Sequence, residues 1–468
     1  MTELTVEKII KATGGELLTE DSMTFDGVSI DSRTIKERDL FFAIRGDRFD
    51  GHDFLEDALA NGGGAVIDTK PGMLPQGKVL IYVGDTLKSL QDLAHYLRKE
   101  KTIPVIAVTG SNGKTTTKEM LYSILSRKYK TLKNEGNLNN HIGLPLSLMK
   151  IDSTDELIVL EMGMNAQGEI RQLCEIARPS HGIITNVGAA HLGMLGSYEA
   201  VRAAKLEILD GLSVVAVNAD DDFLMKGLNE TSDFKGQIIT FALKNTNHDG
   251  PSNNAYVTAG DLKPTDKGTD FELECTGKGT VSVSLGVHGL FNIYNALAAS
   301  AMSMSLGIDM EDIKAGLEDY SAFPMRFEIT VKNDITIIND SYNANLSSTR
   351  ESLLELVRLG SEGRKVAVLG DMLELGQFTD HSHREVGRII NDLGIDVFIA
   401  VGEKMGLAAG ESVNARGVNK SPDVYCFSDA ESAGREISGI IQQKDTLLIK
   451  GSRSMAMEKV IKDMANAV

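Results

Sequence analysis

Short apolar runs recur along the chain with amphipathic stretches between them. Val105 to Val108, Leu157-Ile-Val-Leu-Glu161, Gly182-Ile-Ile-Thr-Asn186 and Val214-Val-Ala-Val-Asn218 each read as a buried strand, separated by helical patterns such as Met120, Leu121, Ile124 and Leu125. Continuous apolar runs mark strands covered on both faces, so a mainly parallel sheet with helices on each side is predicted. In such sheets ligands sit at the carboxyl ends of the strands. Residues 237 to 287 break the rhythm. Phe271-Glu-Leu-Glu-Cys275 and Val281-Ser-Val-Ser-Leu285 alternate apolar and polar positions between Gly, Asp and Lys turns, which predicts a small antiparallel insertion. Helical periodicity resumes from Leu290 to Leu306.

Before this sheet, Ser29-Ile-Asp-Ser-Arg33 reads as a polar turn and Asp39-Leu-Phe-Phe-Ala-Ile-Arg-Gly46 as a buried-strand pattern. Asp50-Gly-His-Asp53 reads as a loop capping a helix from Phe54 to Ala60, Ala65 to Ile67 as a strand, and Gln91 to Glu100 as a helical exit segment, with Pro104 at the boundary. Beyond the sheet, Phe327 to Val331 and Ile335 to Asn339 flank a turn at Lys332-Asn-Asp334 and predict a hairpin. Strands at Val366 to Leu369, Val397 to Val401 and Leu447 to Ile449 then alternate with helices, the last from Met455. At 468 residues, and about 100 to 200 residues per domain, three α/β units are expected: 1–100, 101–320 and a Rossmann-like, doubly wound 321–468.

Charge narrows the partners. With 48 basic and 66 acidic residues the net charge is −18, which repels nucleic acid and anionic membranes and leaves phosphorylated small molecules to local pockets. Cys174, Cys275 and Cys426 are odd in number and far apart, unlike a disulfide framework or a thiolate zinc site. The N-terminus lacks a basic stretch followed by an apolar core, and no run approaches the length of a membrane span. A cytoplasmic enzyme, monomeric by default, is expected.

The chemistry gathers around Thr109-Gly-Ser-Asn-Gly-Lys-Thr-Thr-Thr117, set between a strand and a helical pattern. Glycines let successive backbone N–H groups turn onto phosphate oxygens, and the helix beginning near Lys114 points its positive end at the same charge. Lys114 reaches the outer phosphates, and Thr115 or Thr116 offers a hydroxyl to Mg²⁺. The general pattern has a glycine where this chain has Val108; the shorter Thr-Gly-x-x-Gly-Lys-Thr form is intact. Glu161 ends the following strand, where a carboxylate commonly holds Mg²⁺. His191, past the next strand, reads equally as a metal or phosphate ligand and as a solvated or structural loop residue. Lys205, on a helical stretch, reads unaided as solvated surface.

Thr109 to Thr117, Leu160-Glu-Met-Gly163, Gly188-Ala-Ala-His191, Ala204-Lys-Leu-Glu207 and Asn292-x-x-Asn295-Ala-Leu-Ala-Ala299 resemble, in order and spacing, the motifs of the Mur ligase family. These are ATP-dependent amide ligases of cell-wall precursor synthesis. The resemblance implies that Thr109, Gly110, Ser111, Asn112, Gly113, Lys114, Thr115 and Thr116 bind ATP. Two Mg²⁺ ions are implied, with Thr115 and Glu161 near the first and His191 and a carbamylated Lys205 at the second. Asn292 and Asn295 match adenine-side asparagines, and Phe291 stands where the family often has histidine. Arg326 matches an arginine that closes on the phosphates, and Asp340 an aspartate at the ribose.

Asn339-Asp-Ser-Tyr-Asn-Ala-Asn345, Leu369-Gly-Asp-Met-Leu-Glu-Leu-Gly376 and Lys133-Asn-Glu-Gly-Asn-Leu-Asn-Asn-His-Ile-Gly-Leu-Pro145 resemble the member that joins D-alanyl-D-alanine to UDP-N-acetylmuramoyl-tripeptide. On that resemblance Ser32, Arg33, Arg45 and Gly46 would form the UDP-sugar pocket, with Asn137 and Asn139 reaching in from the second unit. Tyr342, Asn343 and Asn345 would meet substrate. Lys450 and Arg453 suit a carboxylate, such as that of the dipeptide, and read as readily as a plain helix start. A diamino-acid-adding Mur ligase or a folylpolyglutamate synthetase is the nearest alternative. A regulatory nucleotide switch fits less well, because no [NT]-K-x-D motif occurs.

Overall fold

The computed structural model describes residues 3–19, 23–46, 48–188, 192–231, 233–244, 256–360, 363–414 and 421–467. Three large sheets follow one another along the chain, beside a two-stranded pair formed by Leu4–Thr5 and Thr24–Phe25. The first large sheet has five strands, in the order Glu16–Leu17, Val79–Tyr82, Gly64–Ile67, Asp39–Phe42 and Gly27–Ser29. All of its pairings are parallel except the first. Asp50 accepts from the His52 N–H and opens a 3-10 turn, Gly51–Phe54, so the α-helix predicted from Phe54 occupies Leu55–Asn61. The exit helix starts at Thr86 rather than Gln91, because Asp85 caps Thr86–Lys99 by accepting from the Lys88 N–H.

That helix ties the first unit to the second. Its Leu90, Leu93 and Leu97 share one core with Leu144, Leu148 and Leu173. Arg98, itself buried, donates to the carbonyls of Ala177 at 2.9 Å and Ile103 at 3.0 Å, and also to Lys101. A buried guanidinium satisfied by carbonyls at the end of the helix Glu169–Ala177 lies at that helix's negative pole.

The second sheet has nine strands: Gly279–Leu285, Gly268–Cys275, Val257–Thr265, Gln237–Leu243, Val214–Asn218, His181–Ile184, Val105–Thr109, Leu157–Glu161 and Thr131–Lys133. The predicted antiparallel insertion is the edge of this same sheet. Gln237–Leu243 and Val257–Thr265 still pair in parallel, and reversal begins only between Val257–Thr265 and Gly268–Cys275. The last strands alternate buried residues with half-buried or exposed ones because one face alone is fully covered. Val105–Thr109, the first strand of this unit, lies between Leu157–Glu161 and His181–Ile184. Chain connections leave it in both directions, and the crevice at such a switch point is where open sheets bind ligands.

The third sheet runs Glu328–Lys332, Ile335–Asp340, Thr446–Lys450, Lys365–Gly370, Val397–Val401 and Asp423–Phe427. The opening hairpin is antiparallel and the remaining pairs are parallel. Asn333 and Asp334 make its turn with φ of 50° and 63°, the pair of left-handed residues that a tight hairpin needs. Val79–Tyr82 and Asp423–Phe427 were not anticipated from the apolar pattern; in the latter the polar Asp423 and exposed Tyr425 mark an edge strand.

Candidate active site

Two glycines shape the loop after Val105–Thr109. Gly110 has φ 153°, and a Cβ there would lie 1.8 Å from Thr185 Oγ1; Gly113 has φ 81°, and its Cβ would lie 2.1 Å from Asn295 Oδ1. Only glycine fits both conformation and space. Helix Lys114–Leu125 starts without a side-chain cap, so its first N–H groups form an anion site at the helix's positive end. Lys114 Nζ folds back over the loop, donating to Gly110 O at 2.9 Å. The loop is held in shape from behind. Ser111 N–H donates to Asn186 O at 3.0 Å, Asn112 N–H to Asn186 Oδ1 at 2.9 Å, and Thr185 Oγ1 to Asn112 O at 2.6 Å. Gly188 N–H donates to Ser111 Oγ at 2.8 Å.

Glu161 comes to the same place from the neighbouring strand. It is 3% exposed, and its oxygens accept from Thr115 Oγ1 at 2.8 Å and Asn139 Nδ2 at 2.7 Å. Asn134, fully buried, fixes the strand end: its Oδ1 accepts from Glu161 N–H at 2.9 Å, and its Nδ2 donates to Glu161 O at 3.0 Å and Leu138 O at 2.8 Å. Two lysines complete the charge pattern. Burial pushes Lys114 below the usual lysine range, with Glu161 acting in the opposite sense and Arg326 reinforcing the fall. Lys205, 1% exposed rather than solvated, is pushed well below that range by burial and then by the charge of Lys114. Among the described residues no carboxylate pairs with Lys205, and His191 lies outside them.

The third unit reaches the loop directly. Arg326 Nη2 donates to Thr115 Oγ1 at 3.2 Å, while its guanidinium lies over Tyr342, 3.8 Å from the ring centroid. Its Nε is buried without a hydrogen-bond partner, a cationic donor that an anion would satisfy. Asn345 Nδ2 donates to Asn112 Oδ1 at 2.8 Å, and Asn112 Nδ2 to Ser347 Oγ at 2.9 Å. Asn345 also caps the helix Leu346–Leu359. Behind the loop, Thr117 Oγ1 donates to Asn295 Oδ1 at 3.2 Å, and Asn295 Nδ2 to Asn292 Oδ1 at 3.2 Å. Thr109 Oγ1 donates to Met162 O, and Thr116 is buried. Asp340 accepts from Lys450 Nζ at 2.5 Å and Ser352 Oγ at 2.7 Å, and Lys450 also donates to Asn343 O at 3.1 Å. Lys450 is therefore buried against Asp340 rather than open to a ligand carboxylate.

Other anticipated residues stand apart from the loop. Arg33 is exposed and pairs with Asp31 at 2.6 Å beside the buried Ser32, and Arg33's hydrogen bond holds the Asp31 carboxyl down at about 2. Arg45 is fixed by Asp68 at 2.8 Å and by Asp50, with His52 bridging the same two carboxylates. Gly46 N–H donates to Phe49 O at 2.9 Å. Asn137 is exposed, and Arg453 pairs with Glu458 at 2.9 Å. Asn134, Thr185, Asn186, Asp221 and Ser347 act on the loop or its supports without having been singled out. Asp221 accepts from Val187 N–H at 2.7 Å. Asn134, Thr185, Asn186 and Asp221 follow strand ends, and that position was the available signal.

Models of known families match the chain in three consecutive stretches. The Mur ligase family catalytic domain covers residues 24–109, the Mur ligase middle domain 108–303, and the Mur ligase glutamate ligase domain 325–453. The chain belongs to the Mur ligase family.

Relatives of this Mur ligase include the UDP-N-acetylmuramoyl-tripeptide--D-alanyl-D-alanine ligases of Escherichia coli, 36% identical over 99% of this chain and 98% of the relative, and of Bacillus subtilis, 35% identical over 99% of each. Among solved structures, MurF from Acinetobacter baumannii superposes with a TM-score of 0.89 at 31% identity, covering 100% of this chain and 99% of that one. MurF from Thermotoga maritima, solved with ADP, gives 0.80 at 28% identity over 94% and 98%.

The donor set fits a hard cation. Among the described residues, Glu161 is a buried carboxylate whose side-chain hydrogen-bond donors are neutral, and it lies next to the Thr115 hydroxyl. Among the described residues no group of three His, Cys, Asp or Glu forms a ready-made metal cage. Magnesium is commonly held by one or two protein oxygens together with phosphates and water, which is what this Mur ligase offers.

Proposed function

We propose that this Mur ligase joins D-alanyl-D-alanine to UDP-N-acetylmuramoyl-tripeptide with hydrolysis of ATP to ADP and phosphate, as part of peptidoglycan precursor synthesis. The observation that carries the site assignment is the meeting of two units on one loop: Arg326 of the third unit lies 3.2 Å from Thr115 of the second. The full-length similarity to ligases of that name supports the choice of substrates.

The reaction must bring two anions together. The tripeptide's terminal carboxylate attacks the γ-phosphorus of ATP, one carboxylate oxygen becomes the bridge of an acyl phosphate, and ADP leaves. The amine of the dipeptide then attacks the acyl carbon, loses a proton, and expels phosphate. Gly110 to Gly113 direct backbone N–H groups to the phosphates, Lys114 neutralises their outer charge, and Arg326 closes on them from the third unit. Asn292 and Asn295 bind on the adenine side and Asp340 at the ribose, held by Lys450. Thr115 and Glu161 would hold one Mg²⁺, and His191 with a carbamate on Lys205 would hold a second. When bound, magnesium would supply charge neutralisation that lets the carboxylate approach the phosphates. Lys205 suits its part because burial favours the neutral amine, the form that adds carbon dioxide. Aligning carboxylate and phosphate removes about 7 to 11 kcal/mol of barrier.

We assign residues 1–100 to the UDP substrate, with Ser32, Arg33, Arg45 and Gly46 at its pocket and Asn137 and Asn139 facing it. Residues 101–320 take ATP, and 321–468 close over it and bind the dipeptide, with Tyr342, Asn343, Asn345 and Arg453 on that side. Closure of the third unit on the second gates the reaction. The enzyme acts as a cytoplasmic monomer. Phosphate release tests the substrate assignment: it should require the UDP-tripeptide and D-alanyl-D-alanine together. Equal turnover with a free diamino acid or glutamate as acceptor would overturn it.

A further inference from the structure

The turn that carries Arg326 is strained. Met325 has φ 61° and Phe327 φ 54°, so a non-glycine residue on each side of the arginine occupies the left-handed region, where Cβ crowds the backbone. Such conformations persist only where the surroundings over-determine them. Backbone bonds hold part of the turn: Arg326 N–H donates to Phe323 O at 3.1 Å, and Tyr342 N–H to Met325 O at 3.2 Å. Met325 N–H also donates to Glu328 Oε2 at 3.4 Å, and an aromatic pair holds the other side of the arginine. Phe327 is buried in the third unit's core, and its ring meets Phe291 edge-on, with centroids 5.2 Å apart and an interplanar angle of 78°. Phe291 belongs to the second unit, in the first turn of Leu290–Ser305, the helix whose Asn295 reaches Thr117 behind the phosphate loop.

We infer that Phe291 is a positioning residue: its ring, seated on Phe327 across the interface between units, fixes the Met325–Phe327 turn and so delivers Arg326 to the phosphate loop. The inference rests on the role proposed above for Arg326 at the ATP phosphates. One helix then touches the loop from behind through Asn295 and sets the arginine on its front through Phe291. Docking of the third unit against this helix seats the arginine. The stacking of Arg326 on Tyr342 orients the guanidinium, Glu328 acts on Met325 and pairs with Asn339 in the hairpin, and the ring pair is the contact that reaches Phe327 from the second unit.

A double-mutant cycle on the full chain tests this. Phe291→Leu keeps apolar bulk and removes the edge contact, Phe291→Tyr keeps the ring, and Arg326→Lys is made alone and with Phe291→Leu. Phe291→Leu should lower kcat about 10- to 100-fold, the cost of misplacing a group by about 1 Å. ADP affinity should change less than about twofold, since ADP lacks the outer phosphate that Arg326 meets. Phe291→Tyr should recover kcat, and Arg326→Lys should cost far less in the Phe291→Leu background than alone. Phe291→Met supplies the same comparison if the leucine variant folds poorly. An unchanged kcat in Phe291→Leu, or additive losses, overturns the positioning role and leaves the ligase reading standing. Wild-type activity in Arg326→Lys removes the arginine's role, and the positioning inference falls with it.

Discussion

Gly113→Ala probes the packing that shapes the phosphate loop. Its φ of 81° places an alanine in the left-handed region, at a cost of about 1 kcal/mol. The added Cβ would stand 2.1 Å from Asn295 Oδ1, so the buried asparagine must swing away. Asn295 then loses its bonds with Thr117 and Asn292, both 3.2 Å, at about 1 kcal/mol each. The sum is about 3 kcal/mol. In an Asn295→Ala background the obstructing atom is absent and those bonds are already gone, so the same change should cost only about 1 kcal/mol. Urea unfolding of the four proteins measures both values, provided the slope m is unchanged. A cost within about 0.5 kcal/mol of zero, or an equal cost in both backgrounds, would refute the packing assigned to Asn295.

Asn134→Ala removes three hydrogen bonds, two of them buried on the Glu161 backbone and one to Leu138 O; destabilisation of about 3 kcal/mol in denaturant titrations and a raised magnesium requirement for activity are expected. Lys205→Ala removes a buried amine whose charged form burial opposes; turnover should vanish, and short-chain carboxylic acids entering the vacated space should restore part of the activity. His383 is buried, accepts from Met372 N–H at 3.0 Å through Nε2, and bonds Thr379 O at 2.7 Å through Nδ1. Burial lowers its pKa, more than the opposing hydrogen bond to Thr379 and the charges of Asp371 and Asp380 raise it, with Lys404 adding to the fall. The unfolded chain therefore takes up a proton that the folded one refuses, and stability should decline as pH falls below about 6.5. Urea midpoints across that range should show a shallower decline in His383→Gln.

The apolar runs made the central sheet legible because strands covered on both faces leave no polar alternation to misread, as Val105–Thr109 and Leu157–Glu161 illustrate. Register and sheet continuity were not local properties. The edge Val257–Thr265, Gly268–Cys275 and Gly279–Leu285 looked like an insertion because only its covered face is apolar, although it hydrogen-bonds into the same sheet. Around the loop, Lys114, Thr115 and Glu161 could be placed by motif, whereas the burial of Lys205 could not: its charge suggests water, and only the packing of its helix in the folded chain buries it within reach of the charge of Lys114. Asn134 and Asn186 were hidden for another reason. Their work is to satisfy backbone groups of other segments, and a partner distant in sequence leaves no spacing to read.

Transfer of labelled oxygen examines the proposed chemistry most directly. UDP-N-acetylmuramoyl-tripeptide carrying ¹⁸O in its terminal carboxylate is turned over with ATP, magnesium and D-alanyl-D-alanine, and the inorganic phosphate is analysed by mass spectrometry. Activation through an acyl phosphate should place one labelled oxygen in each phosphate released, and Lys114→Ala should abolish both release and transfer. Phosphate free of label, or label recovered in AMP, would contradict attack of the carboxylate on the outer phosphorus.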